Sequence, residues 1–553
     1  ERYRVTSSNP TSSLDSGDLA FVTGDSNLKF YNGSAWVSIA PGIANVVDDS
    51  TPQLGGNLDA NGNSIVSVSN ANIVIAPNGT GKVDINGNLD VDGGTIKLDG
   101  NYPIGTDNVA LGNTSLGNVE AGGINNVAIG DDSLKALTTG DNNTAVGYRS
   151  LKTAVTSLSN TAIGSLALCT NTAGNNTAIG ANAMECNTSG GDNTAVGKQA
   201  NFKNTTGTSN SSLGTLALKC NTTGASNVAV GRDSLSANTT ASSNTAVGMC
   251  AMNSNTTGAT NVAVGMAAMK ANTTGEHNSA VGHNSLLVNI DGDQNVAVGN
   301  YSLDANTTGC CNTAIGYCAL SGNTTGNTNT AVGLKALSSN TTGCENAAFG
   351  KDTLGNNTEG FCNTAIGRSA LRLNTTGDKL TALGYCALFA NVVGNNSVAI
   401  GFGALASSTG SNNIAIGHVS GVQNGMINVS SQSNRLVMGN DEITNSYVKV
   451  DWTVTSDLRD KTNIGTVPHG LNFVNQLNPI SFQFRTARGK DTTRGGVRYG
   501  FKAQDILALE KENGGSNVII DNEFEESLKL TGGSLIPVLV NAIKELKAEI
   551  DEL

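Results

Sequence analysis

From about residue 105 to residue 420 the apolar and polar positions recur with a fixed period. The string N-x-A-[VI]-G closes at Gly130, Gly147, Gly164, Gly180 and onward to Gly333, continues with changed letters at Gly350, Gly367, Gly384, Gly401 and Gly417, and has a weaker first copy ending at Gly112. The step is 17 residues nearly everywhere. Three and four residues after each glycine stand a small residue and then Leu or Met, as in Ser150-Leu151, Ala183-Met184, Ala319-Leu320 and Ala387-Leu388. Seven residues after it comes Asn, usually opening N-T-T-G, as at Asn221–Gly224 and Asn323–Gly326. Such a unit is too short for a helical-hairpin repeat and suits one coil of a β-solenoid, with short strands between tight turns. The pattern predicts that the motif Val or Ile, such as Val247, Ile315 and Ile366, and the following Leu or Met point into a thin core. Gly supplies backbone conformations that other residues resist, Asn tolerates the left-handed region, and stacked Asn and Thr should form ladders between coils. In the copy ending at Gly197 the Leu position holds Asn201, with Phe202 beside it. A one-residue shift is expected to refill that core slot with Phe202. At about 4.8 Å per coil the array forms a rod of roughly 90 Å, in which each coil depends on its neighbours.

The flanks read differently. Leu19-Ala20-Phe21-Val22 and Leu28–Gly33 alternate like a hairpin, Asn32-Gly33 is a strong turn signal, and Trp36 follows. Over residues 46–104, short strands such as Ile73-Val74-Ile75 and Lys82–Ile85 are spaced by Asn-Gly turns and suggest a thin β-shaft. Beyond Gly421, Tyr447–Val454 reads as a strand. At the end, Ile536, Leu539, Ile543, Leu546, Ile550 and Leu553 follow a 3-4 spacing, a heptad seam compatible with a trimer. Pro537 falls in the first turn, where it is tolerated.

Composition narrows the functional classes. With 68 Gly among 553 residues, 4% aromatics and 14% charged residues, the chain lacks the aromatic bulk of a large globular enzyme. A net charge of -12 with no basic stripe argues against nucleic acid, and no apolar run is long enough for a membrane helix. The ten cysteines all lie in the repeats, with no CxxC pair and no metal-site spacing, so no metal or cofactor is expected. They are expected to act as small buried hydrophobes, with disulfides between coils or chains as the alternative. N-T-T matches a glycosylation sequon, but a turn with an Asn ladder explains it without modification. No recurring pair of carboxylates suggests a glycan-cleaving cleft.

Three resemblances add to this reading. Residues 105 to 420 resemble the head repeats of trimeric autotransporter adhesins, which have a somewhat shorter period. The N-terminal strings, including Pro52–Asp59, resemble β-modules of phage tail fibres. Thr455-Ser456-Asp457-Leu458-Arg459-Asp460-Lys461-Thr462-Asn463-Ile464 resembles the opening motif S-D-x-R-x-K-x-x-I of the intramolecular chaperone domain of phage endosialidases and tail fibres. L-N-P-I-S-F-Q-F within Leu471–Phe484, then Tyr499-Gly500-Phe501-Lys502-Ala503-Gln504-Asp505, match later motifs of that family in order. The resemblance implies a domain that aligns three chains, helps the shaft fold, and then cuts itself free between Thr455 and Ser456. It assigns Ser456 as nucleophile and Lys461 as general base, a Ser-Lys dyad working for a single turnover. Asp457, Arg459, Gly500, Phe501 and Gln504 would support the motif. The opposing reading of Ser-Asp before charged residues is a helix N-cap with a solvated first turn.

Together these observations predict a mainly β, trimeric fibre. Its expected parts are an N-terminal β-module (1–45), a thin β-shaft (46–104), the solenoid repeats (105–420), a transition strand (421–455) and a small α+β chaperone domain (456–553) ending in a coiled-coil helix. The expected role is a phage tail fibre for host attachment, located in the virion. Its expected partners are two further copies of itself, other tail proteins at the N-terminal end, and a host surface receptor, with glycans among the candidates. No nucleic acid, membrane insertion or cofactor enters this picture. The rival is a trimeric cell-surface adhesin or extracellular filament that keeps an uncleaved trimerisation domain.

Overall fold

The computed structural model describes residues 3–12, 14–39, 107–120, 122–422, 429–440, 442–443, 446–449, 456–485, 489–513, 518–522 and 528–553. The chain divides into two compact units, residues 1–96 and 97–553. In the first, β1 (Tyr3–Thr6) runs parallel to β2 (Leu19–Val22), and β2, β3 (Asn27–Tyr31) and β4 (Trp36–Ser38) form an antiparallel meander. Alternation in β2 buries Ala20 and Val22. The Asn32 side-chain oxygen accepts the backbone N–H groups of Ser34 and Ala35, each at 2.9 Å, which closes the turn that Asn32-Gly33 signals. Trp36 Nε1–H donates to the Pro10 carbonyl at 2.8 Å. The thin shaft expected over 46–104 lies outside the described residues.

The second unit contains the solenoid. Its strands run from β5 (Val109–Leu111) through β24 (Leu436–Met438), three residues each, every one paired in parallel with the next. Pairing sets identical motif letters opposite one another: Thr161 faces Thr177, Ala162 faces Ala178 and Ile163 faces Ile179. The coil closed by β24 extends the array past Gly421. It pairs Ile414 with Leu436, and its longer step hides it from a search for a fixed period.

Which residues face inward corrects the sequence reading. The strand Ala is fully buried, as are the small residue and the Leu or Met after the glycine. The motif Val or Ile points outward: Ile315 and Ile366 are each 42% exposed. In a three-residue strand only the middle side chain can face inward when both flanking residues face out. Ala fits there because Leu or Met from the opposite turn already fills the cross-section, as Leu303 and Met252 do. The core is an Ala column facing a Leu/Met column.

Two buried Asn ladders complete it. In the first, Asn160 donates its backbone N–H to Asn143 Oδ1 at 3.0 Å, and its own Oδ1 accepts Asn176 N–H at 3.0 Å in the next coil. In the second, Asn204 Nδ2 donates to Asn187 Oδ1 at 2.6 Å, Asn221 to Asn204 at 2.8 Å and Asn238 to Asn221 at 2.8 Å. The sequon asparagines are thus structural: Asn221 and Asn323 have no exposed surface. Thr hydroxyls add a further ladder, Thr205 Oγ1 donating to Thr222 O and Thr222 Oγ1 to Thr239 O, both at 3.0 Å. The ladder Asn residues do not adopt the left-handed conformation. That role falls to the Leu or Met of each coil, such as Leu151 and Met252 (φ 48°), and to two turn positions. Each such residue costs roughly 1–2 kcal/mol, offset by a bond to the next coil such as Leu303 N–H to Ala319 O. The strand glycine requires its identity: at Gly164 φ is +136°, and a Cβ would lie 2.5 Å from the Gly180 carbonyl oxygen.

Two more expectations are corrected. Asn201 stays in the core slot, fully buried with φ 49°, and Phe202 does not replace it. A shift by one residue would break the coil-to-coil bond from Asn201 N–H to Ala217 O at 2.8 Å. None of the ten cysteines is fully buried: nine are half-buried, Cys311 is exposed, and none is bonded to another within the chain. They sit on the turns, where Ala or Thr of other coils is also partly solvated.

After the solenoid, Tyr447–Lys449 is irregular where a strand over Tyr447–Val454 was expected, and the remainder of that segment lies outside the described residues. The C-terminal part comprises α1 (Leu471–Asn475), the hairpin β25 (Ile480–Arg485) and β26 (Thr493–Gly500), α2 (Ala503–Glu512), the short pair β27 (Ile520–Asp521) and β28 (Lys529–Leu530), and α3 (Leu535–Glu552). Phe473, Ile506, Ile519, Ile520, Leu535 and Val538 form its small core.

Candidate functional site: the turn from Ser456 to Lys461

Asp457 begins the site. Its carboxylate accepts the Arg459 backbone N–H at 2.9 Å and so caps a single 3-10 turn, Leu458–Asp460. The Arg459 guanidinium forks onto the same carboxylate, with Nε at 3.1 Å and Nη2 at 2.6 Å. The guanidinium and the backbone bond hold the Asp457 carboxyl below the usual carboxylate range, and the pairing raises Arg459 in return. The turn ends where Lys461 N–H meets Leu458 O. Closing this turn returns Lys461 to Ser456: Lys461 Nζ donates to Ser456 Oγ at 2.7 Å. The two residues of the expected dyad therefore meet within one chain. The helix-cap reading also holds locally, with Asp457 rather than Ser456 as the cap.

The turn is solvated. Ser456 and Lys461 are exposed, and so are Leu458 (67%) and Ile464 (71%), the apolar positions of the motif. Among the described residues, the hydrogen bonds of 456–464 stay within the turn. Thr455, on the acyl side of the expected cut, lies outside the described residues.

Gly500 and Phe501 serve the domain rather than the dyad. Gly500 ends β26 against the Phe482 ring, 3.0 Å from where a Cβ would stand, so L-N-P-I-S-F-Q-F and G-F-K-A-Q-D meet across the hairpin. Phe501 packs on the small core. Gln504 is exposed on the first turn of α2 and has no hydrogen-bond partner among the described residues. The heptad seam separates cleanly from the core face of α3. Leu535, Val538 and Ala542 are buried, while Ile536, Leu539, Ile543, Leu546, Ile550 and Leu553 are exposed.

Sequence reasoning missed the acidic anchors. Glu510 on α2 is fully buried, and its carboxylate accepts Ile519 N–H at 2.9 Å and Ile520 N–H at 3.1 Å. Glu545 on α3 caps α1 by accepting Leu471 N–H, and Asn541 Nδ2 donates to His469 O at 3.1 Å. The available signal was Glu510 four residues after Ile506, on the apolar side of its helix.

The fold and site define a class: a β-solenoid carrying a small α+β C-terminal domain. Residues 456–515 match the family described as the chaperone of endosialidase. No curated protein and no solved structure matches the chain.

Proposed function

We propose that this chain is a phage tail-fibre subunit that assembles as a homotrimer, is folded by its C-terminal domain, and is then cut by that domain between Thr455 and Ser456. The carrying observation is the 2.7 Å contact between Lys461 Nζ and Ser456 Oγ inside the segment that matches the chaperone family. Lys461 acts as base only when neutral, which requires cover from solvent or a nearby cation. A neighbouring chain packed over Leu458 and Ile464 supplies that cover, so cleavage follows assembly.

The chemistry needs no further group. Ser456 Oγ bonds to the Thr455 carbonyl carbon while its proton passes to Lys461 Nζ. The Thr455–Ser456 C–N bond breaks, the proton passes to the freed Ser456 amine, and water hydrolyses the resulting ester to a Thr455 carboxylate. Asp457 and Arg459 hold the turn that presents both groups.

Two exposed surfaces support a homotrimer. Among the described residues nothing covers the seam of α3, and core Ile and Leu at both seam positions suit three strands. Along the solenoid the outward Val, Ile and Leu of successive strands, from Ile129 to Met438, form one continuous apolar stripe. Single soluble chains seldom expose apolar patches beyond a few hundred Å2. Near-identical coils can pair in several registers, and a C-terminal clamp fixes the register first. In this reading the N-terminal β-module joins other tail proteins and the shaft reaches a host surface.

Intact mass of the freshly expressed chain beside Ser456→Ala tests this reading. Two fragments parting at Thr455–Ser456 in the parent and one chain in the variant are expected. One uncut chain in both refutes self-cleavage and favours the rival, a filament that keeps its trimerisation domain.

A further inference from the structure

Where Tyr301 and Tyr317 stand on successive coils, the solenoid surface opens into a notch of about 390 Å3. It is lined by Tyr301, Asp304, Tyr317, Cys318, Ser321 and Ser338. The two phenol rings meet edge to face, centroids 6.0 Å apart at 77°, and the His283 ring meets Tyr301 in the same way at 5.2 Å. An edge-to-face pair leaves a ring face uncovered, and Tyr317 is 50% exposed. Asp304 is set into the coil beside them. Its Oδ1 has no exposed surface and accepts no hydrogen bond among the described residues. That oxygen is enclosed by the coil, so a donor from outside meets the carboxylate through the part of it that lines the notch. Burial pushes the Asp304 carboxyl up, partly offset by its own backbone N–H. Ser321 and Ser338 already donate to carbonyls of the following coil, each at 3.2 Å, which leaves their lone pairs to accept.

An apolar ring face beside a carboxylate and hydroxyl acceptors is complementary to a sugar ring, which presents C–H groups on one face and hydroxyl donors on its rim. We propose that this notch binds one neutral pyranose unit of a glycan, its C–H face against Tyr317 and one hydroxyl donating to the part of the Asp304 carboxylate that lines the notch. Charge selects the class. The notch holds a carboxylate and no Lys or Arg, and the chain carries a net charge of -12, so uronic and sialic acids are disfavoured. The site uses positions one to six after the strand glycine, whereas the apolar strand stripe uses those before it. It therefore stands whether or not the chain cuts itself.

Saturation-transfer NMR on the full chain tests the proposal, with methyl α-glucopyranoside, methyl α-mannopyranoside, methyl β-galactopyranoside and N-acetylneuraminic acid as probes. Transfer to the ring C–H protons of at least one neutral glycoside is expected, and none to the acid. Asp304→Asn and Tyr317→Ala should each weaken that binding by about tenfold, the effect of one lost contact of this kind. Tyr317→Phe keeps the ring face and should retain binding, which leaves a decisive variant even where Tyr317→Ala folds poorly. Tyr385→Ala, further along the same column, should change nothing. Absence of transfer to every neutral glycoside, equal transfer in parent and Asp304→Asn, or preference for the acid would each overturn the proposal.

Discussion

Asn201 offers the sharpest test of how the solenoid core is built. It stands in the Leu/Met column between Met184 and Leu218, fully buried, with neither its amide oxygen nor its amide nitrogen paired. The buried apolar residues fall into two clusters that part here, one ending at Ala200 and the other beginning at Ala217. Leu has the same branching as Asn, and the coils on either side hold Met184 and Leu218 fully buried in the same slot, so Asn201→Leu opens no cavity and places there a side chain that the column already takes. Removing the unpaired amide returns about 1–3 kcal/mol. Burying the Leu side chain adds about 1.5–3 kcal/mol. The left-handed backbone costs Leu about 1 kcal/mol more than Asn, a cost that Leu218 next door already bears at φ 53°. The net stabilisation is about 1.5–5 kcal/mol. Because coils depend on their neighbours, it should concentrate in the strands Thr194–Val196 and Ser211–Leu213. Hydrogen exchange there should slow by roughly tenfold or more. Unchanged or faster exchange in the variant would show that the amide is satisfied in the assembled protein and that the core does not join as described.

Four further outcomes follow from the same structure. In Gly248→Ala a Cβ would meet the Gly265 carbonyl oxygen at a φ of +138°, so denaturant unfolding should show a loss on the order of 3 kcal/mol. Glu510→Gln replaces one of two acceptor oxygens with a donor facing a backbone N–H; it should cost about 1.5–3 kcal/mol in thermal unfolding of the C-terminal domain, and no change would refute the anchor role. The Asp457 carboxyl, lowered by Arg459, should titrate by NMR below the free value of about 3.9. Its pairing is present at neutral pH and lost as pH falls through that lowered value, and Arg459→Gln should bring the midpoint back up. Ile543→Asp, on the exposed seam of α3, should shift sedimentation from trimer to monomer, and a persistent trimer would remove the seam from the assembly.

The period and register of the solenoid were legible in the sequence because each coil repeats the same letters, and parallel pairing sets like on like. The facing was not. Reasoning from side-chain bulk fails at Ile315 and Ile366, which are larger than Ala314 and Ala365 yet point out, because a coil this thin has its interior filled from the opposite turn. The expectation at Asn201 fails for a related reason: the coil-to-coil backbone bonds hold register more firmly than one poor core residue can disturb it. The coil closed by Met438 escaped because its step is longer, although its strand pairs normally. At the candidate site, the motif left open whether Ser456 and Lys461 meet within one chain or between chains, and the turn brings them together within one. The Asp457–Arg459 clasp that closes the turn required the geometry of both side chains.

The direction of the coil-to-coil hydrogen bonds has a mechanical consequence. They run along the rod, so a pull from end to end does not shear many bonds at once but opens the bonds of a terminal coil in succession. Each coil of 17 residues released in this way lengthens the chain by roughly 50 Å, at about 3.4 Å per residue less the height it occupied in the stack. A tethered rod of this kind yields in equal steps under load, absorbing strain one coil at a time while the remainder keeps its shape.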